Sequence, residues 1–344
     1  MENMEKKLGK KILFILKKRS VYSNEKYVTV NSGLYNSAKF VNNMLVKHGV
    51  DSHLVEVNDN NDIDAVVTKF KPDTVIVEAI WVIPSKFEIL QKLHPNVTWV
   101  IRVHSELPFI ANEGIAIKWL KDYGKYENVV ISSNSKDFIC SMRPILESTI
   151  FYLPNYYPTE SFSNSKRIYD GVLDFGLFGA IRPMKNSLFQ AVAAIVYANK
   201  VNKKLRLHIN VARIEQNGEN ALKNIKALFE GTIHELVEHK WYSHEEFIKV
   251  VRTMDLGLQV SLSETYNIVT ADFVSQGVPV VTSEEIKFVN YFNRLKTNKN
   301  AIEMSKTIST SLNCAPILTF FNKILLKLNS FRSEWIWLRN SLIH

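Results

Sequence analysis

The chain has 344 residues, enough for two domains that each bury a core. An apolar content of 46% suits a globular protein, and no apolar run nears the roughly 18 residues a membrane-spanning helix needs. Two cysteines support neither a disulfide framework nor a zinc site, so a reducing cytoplasm is the expected compartment. The net charge of +9 is uneven, because residues 1–50 carry ten Lys and Arg, Lys6 and Lys7 among them, against three Glu. A basic stretch of this kind attracts polyanions or forms a solvated face, and both readings stay open.

The N-terminal half alternates strand and helix patterns. The run ILFIL is too short for a signal-peptide core and is expected to be a buried strand, 11–16. Residues 35–47 follow as a helix, with Phe40, Val41, Met44 and Leu45 on one face. Strands are expected at 53–57, 74–77, 99–103, 129–132 and 150–153, with helices at 65–70 and 86–93 between the earlier ones. Repeated βα units imply a parallel sheet covered on both faces. Asp62-Ile63-Asp64 has the form of a metal-binding acid pair, but it opens a helix after Asn58-Asp59-Asn60-Asn61 and is better explained as an N-cap. Residues 154–166 (PNYYPTESFSNSK) lack periodicity and read as an interdomain linker.

A second alternation begins at a strand, 174–178, followed by the loop GLFGAIRPMKN and a helix, 187–199. Arg182 and Lys185 sit in that loop, and both can reach a diphosphate over the helix start, Arg as a bidentate fork and Lys as a point charge. Strands at 206–211 and 233–237 and a helix at 245–253 come next. The strand 256–260 leads into SLSETYNIVTADFVSQGVPVV, residues 261–281. Here Glu264 lies in the loop and Asp272 within the following helix. Between them, the backbone N–H groups of Asn267, Ile268 and Val269 open that helix, where orphan donors and the positive dipole end favour a phosphate. One acid before the helix and one inside it can hold hydroxyls on either side of a bound diphosphate. An ordinary βαβ crossover would explain either acid alone. The tail, 317–344, has Phe320, Phe321, Ile324, Leu325 and Leu328 at helical spacing. No internal repeat, coiled-coil heptad or G-x-G-x-x-G is seen, and the last absence counts against a dehydrogenase.

The passage from Ser261 resembles the S-x-x-E-x7-E-x4-G-x-P-V-V signature of retaining GT-B glycosyltransferases, glycosyltransferase family four in particular. Glu264 falls on the first acid and Asp272 on the second, with Asn267 where the family has Gly and Gly277-Val278-Pro279-Val280-Val281 in frame. Gly179, Pro183 and Lys185 match the family's G-R-x-x-P-x-K-G frame. Ala180 stands at the family's Arg, with Arg182 two positions later.

The resemblance implies an α/β GT-B fold of two Rossmann-like, doubly wound parallel-sheet domains facing across a cleft. Residues 1–158 would be the acceptor domain, 159–166 the linker, 167–316 the donor domain and 317–344 a helix returning to the first domain. It assigns the diphosphate to Lys185, Arg182 and the amides at 267–269, the sugar hydroxyls to Glu264 and the ribose to Asp272. His104 would touch the donor sugar, Gly33 belongs to a loop beginning at Asn31 near donor and acceptor, and Tyr242 or Trp241 lies near the base. Glu106 and Glu113 are nearby loop acids. No cofactor or metal is required, because cations and a helix dipole do that work.

The implied activity is transfer of a sugar from a nucleotide sugar, UDP-linked in the leading reading, with retained anomeric configuration. The basic first domain suggests a polyanionic acceptor: hydroxymethylated DNA (DNA modification of the phage type, an analogy of fold), a lipid-linked glycan or a surface polysaccharide. Two other readings stay open: a sugar-nucleotide epimerase or hydrolase on the same fold, and a non-catalytic nucleic-acid-binding protein.

Overall fold

A computed structural model describes residues 8–23, 26–29, 32–146, 148–160, 162–163, 170–295 and 300–342. Glu2, Glu5, Lys6, Lys7 and Glu25 of the basic segment, Asn31, and residues 161 and 164–166 of the expected linker lie outside them. The chain forms two compact units: Met1–Arg19 with Ser32–Pro158 and Ser330–His344, and Ser20–Asn31 with Thr159–Asn329.

The first unit holds β1 (Lys11–Lys17), and a hairpin of β2 (Ser20–Ser23) and β3 (Lys26–Thr29) follows it in the chain but belongs to the second unit. Next come β4 (Asp51–Val57), β5 (Thr74–Glu78), β6 (Thr98–Val103), β7 (Val129–Ser133) and β8 (Ile150–Tyr152). Their sheet is parallel throughout, ordered β4-β1-β5-β6-β7-β8. Ile12 to Leu16 are all buried, as a strand covered on both faces requires.

The second unit repeats this plan with β9 (Leu173–Leu177), β10 (Leu205–Asn210), β11 (Glu235–His239), β12 (Leu256–Gln259), β13 (Val280–Ser283) and β14 (Arg294–Leu295). Its order is β11-β10-β9-β12-β13-β14, again parallel. From β9 the chain winds one way to β10 and β11. It then crosses to β12 and winds the other way. Ligands of open α/β sheets bind beyond the carboxyl ends of the strands at such a switch point. Among the described residues, no helix is long and apolar enough to cross a membrane.

Two readings of the sequence are corrected and two are extended. Pro154 to Tyr157 is not linker but interior to the first unit. Arg102 Nη2 donates to Pro154 O at 2.8 Å and to Asn155 Oδ1 at 2.7 Å, and Trp337 Nε1 donates to Pro154 O at 2.8 Å. Asp62 is the first helical residue of Asp62–Phe70 and not its cap, since its carboxylate accepts from Asn58 N at 2.8 Å, while Asp64 meets His94 at 2.8 Å. The helices Gly218–Phe229 and Ala301–Asn313 escaped the apolar periodicity. The first buries little beyond Gly218, Ile225 and Phe229, and the second covers its core face partly with Ser305 and Ser311. Finally, the tail is one helix, Ala315–Leu342, but Phe320, Phe321, Ile324 and Leu328 point outward. Its buried side is Leu318, Asn322, Leu326, Ser330, Ser333 and Trp337, half of them polar.

Two glycines seat the helix Ile268–Ser275 on the second sheet. Gly176 and Gly257 are register partners on β9 and β12. A Cβ on Gly257 would stand 2.4 Å from the buried Phe273 ring, and one on Gly176 would stand 2.5 Å from Phe178 and 2.8 Å from Phe273. Gly257→Ala is therefore expected to destabilise the protein by about 1–3 kcal/mol, the usual cost of overpacking, read as a lower urea midpoint. An unchanged midpoint would mean that Phe273 yields without cost.

Candidate functional site

The loops after β9 and β12 meet at the switch point. Pro183–Lys185 forms one 3-10 turn, ended by Asn186 in the left-handed region. Gln190 ties the two loops together, donating through Nε2 to Lys185 O at 2.8 Å while its Oε1 accepts from Val260 N at 2.7 Å. Leu262 N donates to Met184 O at 2.8 Å. These bonds hold the Lys185 side chain against Glu264, and Nζ contacts Oε1 directly. Glu264 Oε1 also accepts from Ser261 Oγ at 2.8 Å and Asn267 Nδ2 at 3.2 Å.

Asn267 caps the helix, its Oδ1 accepting from Thr270 N at 2.9 Å, and its Nδ2 reaches Gln259 Oε1 at 3.0 Å. It holds φ +24, a value that favours Gly, the residue of the resembled signature. Ile268 and Val269 are the first two helical residues, so their N–H groups precede the hydrogen-bonded ladder.

The electrostatics follow from burial among charges. Burial pushes the Glu264 carboxyl up, but the Lys185 ammonium and then Arg182 overcome this and hold it below the usual carboxylate range. Burial lowers the Lys185 ammonium, Glu264 opposes that, and Arg182 adds to the lowering. The result is an ion pair with a second cation close by, as suits an anion able to displace Glu264 from Lys185.

Arg182 does not point jointly with Lys185 at one open spot, because its Nη1 meets Glu215 Oε2 at 3.3 Å. Asp272 is the fifth residue of its helix, one turn in, and is only 1% exposed. Its Oδ1 accepts from His244 Nε2 at 2.7 Å, so the half-buried His244 stands outward of it. Tyr242 OH bonds His239 Nδ1 at 3.0 Å, His239 Nε2 meets His208 Nδ1 at 2.8 Å, and His208 Nε2 meets Asp174 at 2.8 Å. The Tyr242 ring thus belongs to a partly buried polar chain, while Trp241 lies under the Arg213 guanidinium.

In the first unit, His104 follows β6 and its Nε2 contacts Glu78 at the end of β5. Glu78 is 0% exposed and also accepts from Arg102 Nη1 at 2.9 Å. Burial raises the Glu78 carboxyl, but Arg102 and His104 outweigh it and hold the group below its ordinary range. Burial holds His104 below its ordinary range, Glu78 opposes this and Arg102 assists. Gly33 begins the helix Gly33–Lys47 behind its cap Ser32, and a Cβ there would meet nothing within 4 Å. Glu106 is taken up by Ser135 Oγ.

The structure therefore gathers Lys185, Glu264, Asn267, Ile268 and Val269, with Arg182 beside them, and gives Asp272 to His244. Sequence reasoning missed Gln190, Gln259 and His244, which carry no local pattern. It also missed Glu78 and Arg102, although a charge inside TVIVE and another inside WVIRV are signals, because charges in buried strands must find partners.

Two Rossmann-like units, each built on a six-stranded parallel sheet, have the architecture of the GT-B class of fold. Solved structures agree. Sucrose-phosphate synthase from Thermosynechococcus elongatus aligns with a TM-score of 0.69 at 12% identity, covering 95% of this chain and 97% of that one. HepE from Anabaena, in complex with UDP and glucose, aligns at 0.66 and 10% identity over 96% and 98%. TarM from S. aureus, in complex with fondaparinux, alpha-GlcNAc-glycerol and UDP, aligns at 0.59 and 15% identity over 81% of this chain, which spans 58% of its length. These neighbours are GT-B glycosyltransferases. No family model matches the chain, and no curated protein is similar to it in sequence.

Proposed function

We propose that this protein is a glycosyltransferase that takes its sugar from a nucleotide sugar, UDP-linked in the first instance, and retains the anomeric configuration. The observation that carries the reading is the Lys185–Glu264 ion pair at the amino end of the helix Ile268–Ser275, on the switch point of the second sheet. As the bond from the anomeric carbon to the diphosphate breaks, negative charge grows on the leaving oxygens. Lys185 and the N–H groups of Ile268 and Val269 are placed to take that charge, with Arg182 adding to the local positive potential. Glu264, once its ammonium partner turns to phosphate, accepts hydrogen bonds from sugar hydroxyls. Because Asp272 is covered, the ribose contact falls to the Asp272–His244 pair, with His244 outermost. His104 is proposed to meet a sugar hydroxyl, its ring fixed by Glu78.

Transfer of this kind needs no metal, since the cations and the helix end supply the positive charge. A polyanionic acceptor, hydroxymethylated DNA or a lipid-linked or surface glycan, suits the net charge of +9. A cytoplasmic location accompanies the proposal, in keeping with two free cysteines.

The test is a thermal-shift panel of UDP-, GDP- and ADP-sugars with the matching free diphosphates, on wild type and Lys185→Ala. Donor at about a hundred times its Kd adds about 2.7 kcal/mol to the folded state, which is several degrees of Tm. The expected result is a shift for the uridine class that shrinks in the variant. A shift for another nucleotide would reassign the donor. No shift with any sugar nucleotide would overturn the proposal and favour a binding protein on this fold.

A further inference from the structure

We propose that the outward face of the helix Ala315–Leu342 docks on an anionic lipid bilayer, as an interfacial helix lying in the membrane surface. This inference stands apart from the donor site and does not depend on it. Ile317, Phe321, Ile324, Leu328, Phe331 and Trp335 alternate in steps of four and three and are all exposed, Phe331 at 70%. They form one apolar stripe on the side of the helix away from Asn322, Leu326, Ser333 and Trp337, which are buried. Phe320 widens it at 61% exposure. The helix therefore has two distinct faces, and among the described residues only one of them is covered. A contiguous apolar face of this length marks a contact surface.

Charge decides what covers it. Lys327 borders the stripe on one side, Arg332 and Arg339 on the other. The one acidic residue of the helix is Glu334, and it is taken up by His48. A seam with four-three spacing is also the geometry of a coiled coil, but a helix pair normally sets opposite charges across its flanks. Two copies of this helix would set Lys and Arg beside Lys and Arg. An anionic lipid surface has the complementary sign. Phe, Leu and Trp on one face with Lys and Arg along its borders is the composition of helices that lie in the headgroup region. Arg339 stacks on Trp335, its guanidinium 5.4 Å from the ring centroid, a paired aromatic and cation suited to the boundary between acyl chains and phosphates. Beside that pair lies a cavity of about 210 Å³, walled by Val100, Val130, Phe151, Trp335 and Ile336. It offers an apolar recess next to the cation that would meet a headgroup.

The experiment is co-sedimentation of the full chain with vesicles of phosphatidylcholine, with and without phosphatidylglycerol. It is run on wild type and on Leu328→Glu/Phe331→Glu, with sedimentation velocity of the same samples without lipid. Both positions are exposed, so thermal unfolding of the variant should match wild type. Phe331→Ser serves if it does not. Wild type is expected to pellet with the anionic vesicles and weakly with the neutral ones, and the double variant to lose at least about tenfold in partitioning. Equal sedimentation of wild type and variant, or no sedimentation with either vesicle, would overturn the proposal. A wild-type dimer that the variant abolishes, without vesicle binding, would give the face to a second copy of this chain and overturn it equally.

Discussion

Replacing Lys185 with alanine is expected to lower sugar transfer about a hundredfold while leaving thermal unfolding nearly unchanged. The magnitude is that of removing one group that stabilises charge arising in the transition state, about 3 kcal/mol at room temperature. The fold should survive because Glu264 keeps Ser261 and Asn267 as partners, and the loop is held by the Gln190 side chain and not by the lysine. If Lys185 acts on the departing diphosphate, kcat falls along with donor affinity, whereas loss of ground-state binding alone would raise KM and spare kcat. Glu264→Ala is expected to lose at least about tenfold, since Lys185 then stands without a carboxylate to orient it. Turnover within twofold of wild type in either variant would remove that residue from the proposed mechanism.

The second large effect concerns stability. Glu78→Ala is expected to cost about 3–5 kcal/mol, because it leaves the buried Arg102 guanidinium without its counter-charge. Arg102 would keep Leu153 O, Pro154 O and Asn155 Oδ1, which satisfy its N–H groups but not its charge. Glu78→Leu combined with Arg102→Met should recover part of the loss, since the desolvation of both ions goes with them. The pH dependence follows from the same pair. The Glu78 carboxyl is held below its ordinary range in the folded state, so the unfolded chain takes up its proton first as pH falls. Its contribution is whole above the ordinary carboxylate range and disappears as pH drops through the depressed folded value. Glu78→Gln should flatten that acid limb of the stability curve. A loss below about 1 kcal/mol in urea unfolding of Glu78→Ala would show that solvent or a neighbour screens Arg102.

The GT-B fold was legible because its elements are local. Apolar runs such as ILFIL and TVIVE can only be strands covered on both faces, and the glycine and proline turns between them mark the crossovers. The passage around Glu264 was legible for the same reason: an acid, a helix start and a second acid fall within one βαβ unit. Where the sequence misled, a polar residue had a partner distant in the chain. Pro154 to Tyr157 looked like linker until Arg102 and Trp337 claimed the Pro154 carbonyl. Asp272 pairs with His244, 28 positions away, which no local spacing announces. The tail is the helix its spacing predicts, and which face turns inward is set by Asn322, which bonds Asn290 and Asn293.

By itself, the sequence determined the alternation of strands and helices, the parallel sense of the sheets and the loop that carries Glu264. Each of these follows from apolar periodicity and turn chemistry over a few residues. Only the tertiary structure decided that Lys185 meets Glu264, 79 positions away, that Glu78 joins Arg102 to His104, and which face of the last helix turns outward. Strand order sets these pairings. Strand order comes from crossover connections that bring distant segments side by side, and no local spacing encodes which segments those are.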